Sequence, residues 1–146
     1  MSTLLRNELI HLVATLLVAG LFFFLSHNVI YTLLLIVCAI GVDVDHLFDY
    51  VRYIRVSKSK ASVYDFLSGE YFHSSNRLFV LLHSWELSLV CLLLYIAGIG
   101  TVYLPIALGL ATHYLVDSIT NDIGFLSYFF SFRMVHQFKL NEIVRR

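Results

Sequence analysis

Charged residues are scarce in this sequence: lysine, arginine, aspartate and glutamate make up 14% of its 146 residues. A soluble domain of average composition contains about a quarter charged residues. The hydrophobic fraction is 59% and the mean hydropathy is +0.80, and so short a chain has too much surface per volume to hide that apolar area from water. The composition disfavours a soluble globular monomer, and also a disordered chain, which requires low hydrophobicity.

Proline and cysteine are also rare. One proline and no low-complexity run leave no room for a flexible linker, so we expect a single domain over residues 1–146. The two cysteines, Cys38 and Cys91, lie in apolar stretches and make no disulfide scaffold. The formal net charge of +0 gives no indication of nucleic-acid binding. The sequence contains no nucleophile elbow, Walker A loop or Rossmann fingerprint.

Long apolar runs are present instead, and they predict an all-α fold: an integral membrane four-helix bundle. The predicted spans are about residues 9–26, 29–46, 78–99 and 101–120. The very short links within each pair of spans predict two helical hairpins. The remaining segments, about 47–77 and 123–138, place aromatic residues beside charged ones. That mixture predicts interfacial segments on the cytoplasmic side.

Every lysine and arginine falls on one side of this arrangement, and the two short turns on the other side have none. The ten residues are Arg6, Arg52, Arg55, Lys58, Lys60, Arg77, Arg133, Lys139, Arg145 and Arg146. The positive-inside rule then predicts a protein of the cell inner membrane with this side, and both termini, in the cytoplasm.

Eight ionisable side chains interrupt the apolar spans or stand at their ends, where such groups are costly and usually functional. They are His11, Asp43, Asp45, His46, His83, Glu86, His113 and Asp117. All eight fall near the cytoplasmic ends of their spans, so the topology predicts that they meet at one depth. The alternative for any one histidine is ordinary packing, and the Asp43–His46 stretch could be a plain helix end.

Helical spacing pairs several of these residues. His113 and Asp117 stand four residues apart, and Asp43 and His46 stand three apart, as do His83 and Glu86. Histidine with carboxylate suits Zn²⁺, with Mn²⁺ or Fe²⁺ as alternatives. We expect one to three divalent ions, because so many carboxylates would not stay ionised together without cations. Asp45 and Glu86 are predicted to be catalytic as well as ligands, with Glu86 as ligand or general base.

These residues resemble the motifs of the LexA-regulated inner-membrane metal-dependent hydrolase family. The resemblance covers roughly residues 9–121. It consists of His11, the Asp43-Val44-Asp45-His46 box, His83-Ser84, and the Gly109…His113…Asp117 box. Val42 stands where the family has proline, and Leu78 where it has a further histidine. The family is similar in motif to zinc-dependent phospholipase C, so the resemblance implies an all-helical enzyme that cleaves phosphoesters.

The sequence therefore predicts a membrane-bound hydrolase whose metal-activated water cleaves a phosphoester of a lipid or lipid-linked substrate at the cytoplasmic face. Its partners would be membrane lipids. The alternative is a small metal-ion or proton transporter that uses the same cluster, although a transporter needs polar groups across the whole bilayer. A haem-binding electron carrier and a purely structural bundle explain the carboxylates less well.

Overall fold

The computed structural model describes residues 3–121 and 123–144. Arg145 and Arg146, which entered the charge count above, lie outside the described residues. Within the described ranges the regular structure is helical, and extended residues pair only as two isolated bridges, Arg77 with Lys139 and Ile123 with Val144. The predicted all-α class is confirmed.

The described ranges contain nine α-helices and two short 3-10 helices, joined by turns and loops. The α-helices are α1 (Thr3–Ser26), α2 (Val29–Gly41), α3 (His46–Ser57), α4 (Val63–Ser68), α5 (Glu70–Ser75), α6 (Trp85–Ile96), α7 (Tyr103–Thr120), α8 (Phe130–Val135) and α9 (Leu140–Ile143). The 3-10 helices are Val42–Asp45, which joins α2 to α3, and Phe125–Tyr128.

Helices α1, α2, α6 and α7 pack side by side, with α7 against each of the other three. The α1–α2 turn is made by His27, in the left-handed region at φ +50°, and by Asn28, whose side chain accepts a hydrogen bond from the Tyr31 amide. The Tyr31 hydroxyl is 2.8 Å from the hydroxyl of Thr101 in the α6–α7 link. Both hairpin turns therefore lie at the same end of the bundle.

Two helical segments are long and apolar enough to cross a membrane: Arg6–Ser26 in α1, and Val29–Ser57, which runs from α2 through the 3-10 turn into α3. Helix α6 is shorter, at 12 residues. Outward-facing positions on the first two segments carry large apolar side chains, such as Phe24 and Ile30, that are mostly exposed.

The third predicted span begins in a loop rather than in a helix. Residues 78–84 are not helical, and α6 starts only at Trp85. The amides of Phe79 and Val80 donate to Asp49 Oδ2, at 2.9 and 3.0 Å. Because these amides bind a carboxylate on another helix, the segment forms no α-helical ladder despite its apolar composition.

Arg133 of α8 binds the same loop from the other side. Its side chain is fully buried, at 0% exposure. It donates to the carbonyls of Val80 at 2.8 Å, His83 at 2.7 Å and Ser127 at 2.7 Å. Burial lowers the pKa of the guanidinium, while the carboxylates of Asp45, Glu86 and Asp49 act in the opposite direction. The segment 123–138 is thus anchored to the loop by a buried cation.

Two glycines of the bundle differ in their surroundings: Gly109 lies at a close helix contact and Gly20 does not. A Cβ at position 109 of α7 would overlap the carbonyl oxygen of Leu35 on α2, whereas a Cβ at position 20 would meet nothing. The contact matters for the bundle end that carries the ionisable residues, because His113 lies one turn further along α7.

We therefore expect Gly109→Ala to force α2 and α7 apart and to lower the free energy of unfolding by roughly 1–3 kcal/mol, the usual range for overpacking. Thermal and denaturant unfolding in detergent, followed by circular dichroism, measures this. Gly20→Ala is the matched control and should be neutral or slightly stabilising, because alanine favours a helix interior. Equal stability of the two variants would contradict the close α2–α7 contact.

Candidate metal centre

Four parts of the chain bring six ligand-type side chains to the bundle end opposite the hairpin turns. Helix α1 contributes His11, the loop before α6 contributes His83, and α7 contributes His113 and Asp117 from successive turns. The junction of α2 and α3 contributes Asp43 and His46. In a 3-10 turn, residues three apart lie on the same side, and Asp43 Oδ1 is 3.2 Å from His46 Nε2.

The first trio is His11, His113 and Asp117. The Asp117 carboxylate lies between the two rings, with Oδ1 3.1 Å from His11 Nε2 and Oδ2 3.3 Å from His113 Nε2. Asn121 Nδ2 donates to the same Oδ1 at 3.0 Å. The Asn121 amide thus holds the carboxylate in the orientation that faces both histidines.

The second trio is Asp43, His46 and His83. Asp43 Oδ1 is 3.2 Å from His83 Nε2 and 3.3 Å from His113 Nε2. The Asp43 carboxylate therefore touches members of both trios and joins them into one cluster. His83 and His113 are each 2% exposed as side chains, whereas Asp43 is 46% exposed, so the cluster opens to its surroundings at Asp43.

The spacing of these atoms matches a metal's first coordination shell. A tetrahedral site with metal–ligand distances of about 2.0 Å has ligand–ligand edges of about 3.3 Å. The contacts within the trios quoted above, and the 3.1 Å between the Nε2 atoms of His83 and His113, fall at or close to that edge length. Either trio could hold a divalent ion.

The outer nitrogens of the two buried rings face acceptors. His113 Nδ1 lies 2.8 Å from the Ala39 carbonyl, which fixes the tautomer whose Nε2 carries a lone pair. His83 Nδ1 lies 3.0 Å from Asp45 Oδ1, although their orientation is not that of a hydrogen bond. The Nε2 atoms of His83 and His113 face each other at 3.1 Å, a separation that a shared proton or a common metal ion would bridge.

The charges around the cluster also favour cations. Asp43, Asp45, Asp49 and Asp117 carry four negative charges, and the adjacent Arg133 carries one positive charge. With neutral histidines the balance is −3, and one divalent ion would reduce it to −1. Bound cations or protonated histidines would supply the compensation that closely packed carboxylates need. The donor set of imidazole and carboxylate fits Zn²⁺, Mn²⁺ or Fe²⁺.

Asp45 lies beside the cluster rather than in it. Its Oδ2 accepts the Leu82 amide at 2.6 Å and its Oδ1 faces His83 Nδ1. Both oxygens are therefore engaged with the loop that carries His83. Asp45 thus lies against His83, and its expected roles as ligand and catalytic residue stay predictions.

Glu86 belongs to neither trio, and its expected roles as ligand and general base stay predictions. Its carboxylate accepts hydrogen bonds from the Ser84 hydroxyl, the Phe130 amide and both the amide and hydroxyl of Ser131, at 2.6–2.9 Å. The prediction assumed that His83 and Glu86 share a helix face. Because α6 begins at Trp85, His83 precedes the helix and the three-residue spacing does not apply.

Two residues that bear on the site were not singled out from the sequence. Asp49 is buried, with its Oδ2 bound to the loop amides. Arg133 was counted only as a positive charge of the cytoplasmic side. No local pattern marks either residue, because their partners in this loop lie 30 to 53 positions away in the chain.

Comparison with protein families, with curated proteins and with solved structures finds no match to this chain.

The geometry predicts that His113→Ala removes bound metal, because the His113 Nε2 contacts both Asp43 and Asp117. Elemental analysis of detergent-purified protein after equilibration with Zn²⁺ measures this as ions per chain. His27→Asn is the matched control: His27 lies in the distant turn, and asparagine tolerates its positive φ. Unchanged metal content in His113→Ala would contradict the assignment.

Glu86→Gln should leave the metal content at the wild-type value, because the Glu86 carboxylate binds Ser84 and the start of α8 instead of the cluster. The same elemental analysis tests this. Loss of an ion in Glu86→Gln would instead restore the ligand role that the sequence predicted.

Proposed function

We propose that this chain is an integral membrane four-helix bundle and a metal-dependent hydrolase acting on a phosphoester of a lipid or lipid-linked substrate at the cytoplasmic face. The observation that carries the proposal is the convergence of His11, Asp43, His46, His83, His113 and Asp117 at one end of an otherwise apolar bundle. The resemblance to the LexA-regulated hydrolase family agrees with this, because each of its boxes contributes to the cluster.

The distribution of apolar surface supports the membrane location. Large apolar side chains face outwards on all four bundle helices, for example Leu17 on α1, Ile30 on α2, Leu93 on α6 and Ile119 on α7. Exposed apolar surface on this scale is costly in water and is normal against lipid. The helices therefore need a bilayer or an equivalent apolar partner around the bundle.

The position of the charges favours a hydrolase over a transporter. Along α1, α2, α6 and α7, every Asp, Glu, His, Lys and Arg lies towards the end opposite the hairpin turns. A carrier needs polar groups along its path through the bilayer. The remaining length of these helices offers only uncharged groups such as the hydroxyl of Ser88, whose Oγ is bound to the Ala107 carbonyl.

A divalent ion held here would acidify a water molecule and neutralise phosphate charge. The side chains that would hold this ion are themselves oriented by other groups of the chain. Asp117 is held by Asn121, and His113 is held by the Ala39 carbonyl. The 3-10 turn presents Asp43, the most exposed ligand-type residue, to an approaching phosphoester. Leu78, which stands at the family's additional histidine, packs in an apolar cluster and supplies no ligand.

The surroundings of Asp43 favour a lipid substrate. Val44 and Leu47, close to Asp43 in the chain, are 64% and 51% exposed. Leu81, beside the loop amide that binds Asp45, is 52% exposed. An exposed carboxylate among exposed apolar side chains suits a phosphorylated headgroup whose chains stay in the bilayer.

Hydrolysis should be measured on protein in phospholipid nanodiscs loaded with Zn²⁺ or Mn²⁺. Diacylglycerol phosphate, phosphatidylcholine and a polyprenyl phosphate serve as substrates, with release of phosphate or phosphocholine as the readout. We expect turnover of at least one of them, a loss of at least about 100-fold in Asp43→Asn and His83→Ala, and no loss in His27→Asn. Metal binding without turnover of any phosphoester would contradict the hydrolase proposal and favour the carrier.

The proposed topology has its own test. A single-cysteine tag at either terminus, in a background with Cys38 and Cys91 replaced by serine, should react with a membrane-impermeant maleimide only after the cells are opened. A second tag in the α6–α7 link should react in intact cells. The reverse pattern would overturn the cytoplasmic placement of the cluster.

A further inference from the structure

The loop before α6 has no regular structure, yet its backbone is bound on both sides. Six of its backbone groups are bound by side chains from elsewhere: the amides of residues 79, 80 and 82, and the carbonyls of residues 80, 82 and 83. The side chains are those of Asp45, Asp49, Tyr114 and Arg133. Three of the four are charged, and hydrogen bonds to charged groups are about twice as strong as neutral ones.

Val80 is the most constrained residue of this loop. Its φ is +24°, a value that β-branched residues rarely adopt because the side chain meets the backbone. Asp49 holds its amide at 3.0 Å and Arg133 holds its carbonyl at 2.8 Å. Such a conformation persists only where the surroundings over-determine it, and here two buried charges of opposite sign do so.

We propose that Arg133 is a positioning residue for the metal centre: it sets the place of His83 by binding the His83 and Val80 carbonyls with two different nitrogens of one guanidinium. Nη1 donates to His83 and to Ser127 of the adjoining 3-10 helix, and Nη2 donates to Val80. The planar fork fixes the distance between residues 80 and 83. This rests on the proposed function in that His83 is taken as a metal ligand.

The role requires arginine rather than positive charge alone. A lysine ammonium is a single point with three donors and cannot hold carbonyls from two directions at a fixed separation. Outer partners of metal-ligating histidines typically contribute about 10–100-fold to metal affinity. We therefore expect Arg133→Lys to fold, to retain His83, and to bind metal at least about 10-fold more weakly.

The matched control is Arg77→Lys. Arg77 also donates to a backbone carbonyl, that of Gln137, but to none in the loop that carries His83. Arg77→Lys should therefore keep wild-type metal affinity. Circular dichroism of both variants in detergent confirms that each retains the helical content of the wild type.

Two readouts are measured. The first is the ¹⁵N spectrum of histidine-labelled protein without metal, in which the His83 ring signals are assigned by their loss in His83→Ala. The second is Co²⁺ affinity, from the visible absorption of the bound ion, in wild type, Arg133→Lys, His83→Ala and the double variant. We expect Arg133→Lys to shift the His83 ring signals, and the loss of Co²⁺ affinity to disappear in the His83→Ala background.

Unchanged His83 ring signals in Arg133→Lys would overturn the proposal. So would an equal loss of Co²⁺ affinity with and without His83, because that result would mean a general effect on the fold. If the wild type binds no Co²⁺ or Zn²⁺ at all, the proposed function fails, and the metal-free spectrum alone still decides whether Arg133 positions His83.

Discussion

The backbone of residues 79–83 is the constraint on which the site depends. This loop leads into α6, and Val80 and His83 within it are buried. Buried backbone without regular structure needs other partners for its amides and carbonyls. Asp45, Asp49, Tyr114 and Arg133 supply those partners from three different helices and a 3-10 turn. The same contacts fix the position of His83.

The sequence predicts which side chains meet where the pattern lies within one helix or one turn. His113 and Asp117 lie in one uninterrupted helix, so their spacing reports their shared face correctly, and the structure brings both together with His11. Asp43 and His46 behave the same way because a 3-10 turn also aligns residues three apart. The short links, residues 27–28 and 97–102, also form the predicted hairpin turns, because so few residues must reverse the chain direction.

Where the prediction was wrong, the cause is contact between distant parts of the chain. Residues 78–84 read as the start of an apolar helix, and nothing in Leu78-Phe79-Val80-Leu81-Leu82 signals otherwise. Asp49 and Arg133, 31 and 53 positions from Val80, convert the segment into a loop. That change moves His83 off the face it would share with Glu86, and it leaves the Glu86 carboxylate to bind the start of α8. A count of the positive charges on each side of the membrane likewise gives no sign that Arg133 is buried.

Helix α8 has a buried charged residue on one face and exposed apolar residues on the other. Arg133 points inwards and is fully buried, while its neighbours Met134 and Val135 are 55% and 75% exposed. A short helix with its charge inside and its apolar residues outside is unfavourable in water and favourable at a lipid interface. Glu86 holds the first residues of the same helix. Under the proposed function, α8 would lie at the interface with Val135 towards lipid and with Arg133 towards the loop that carries His83.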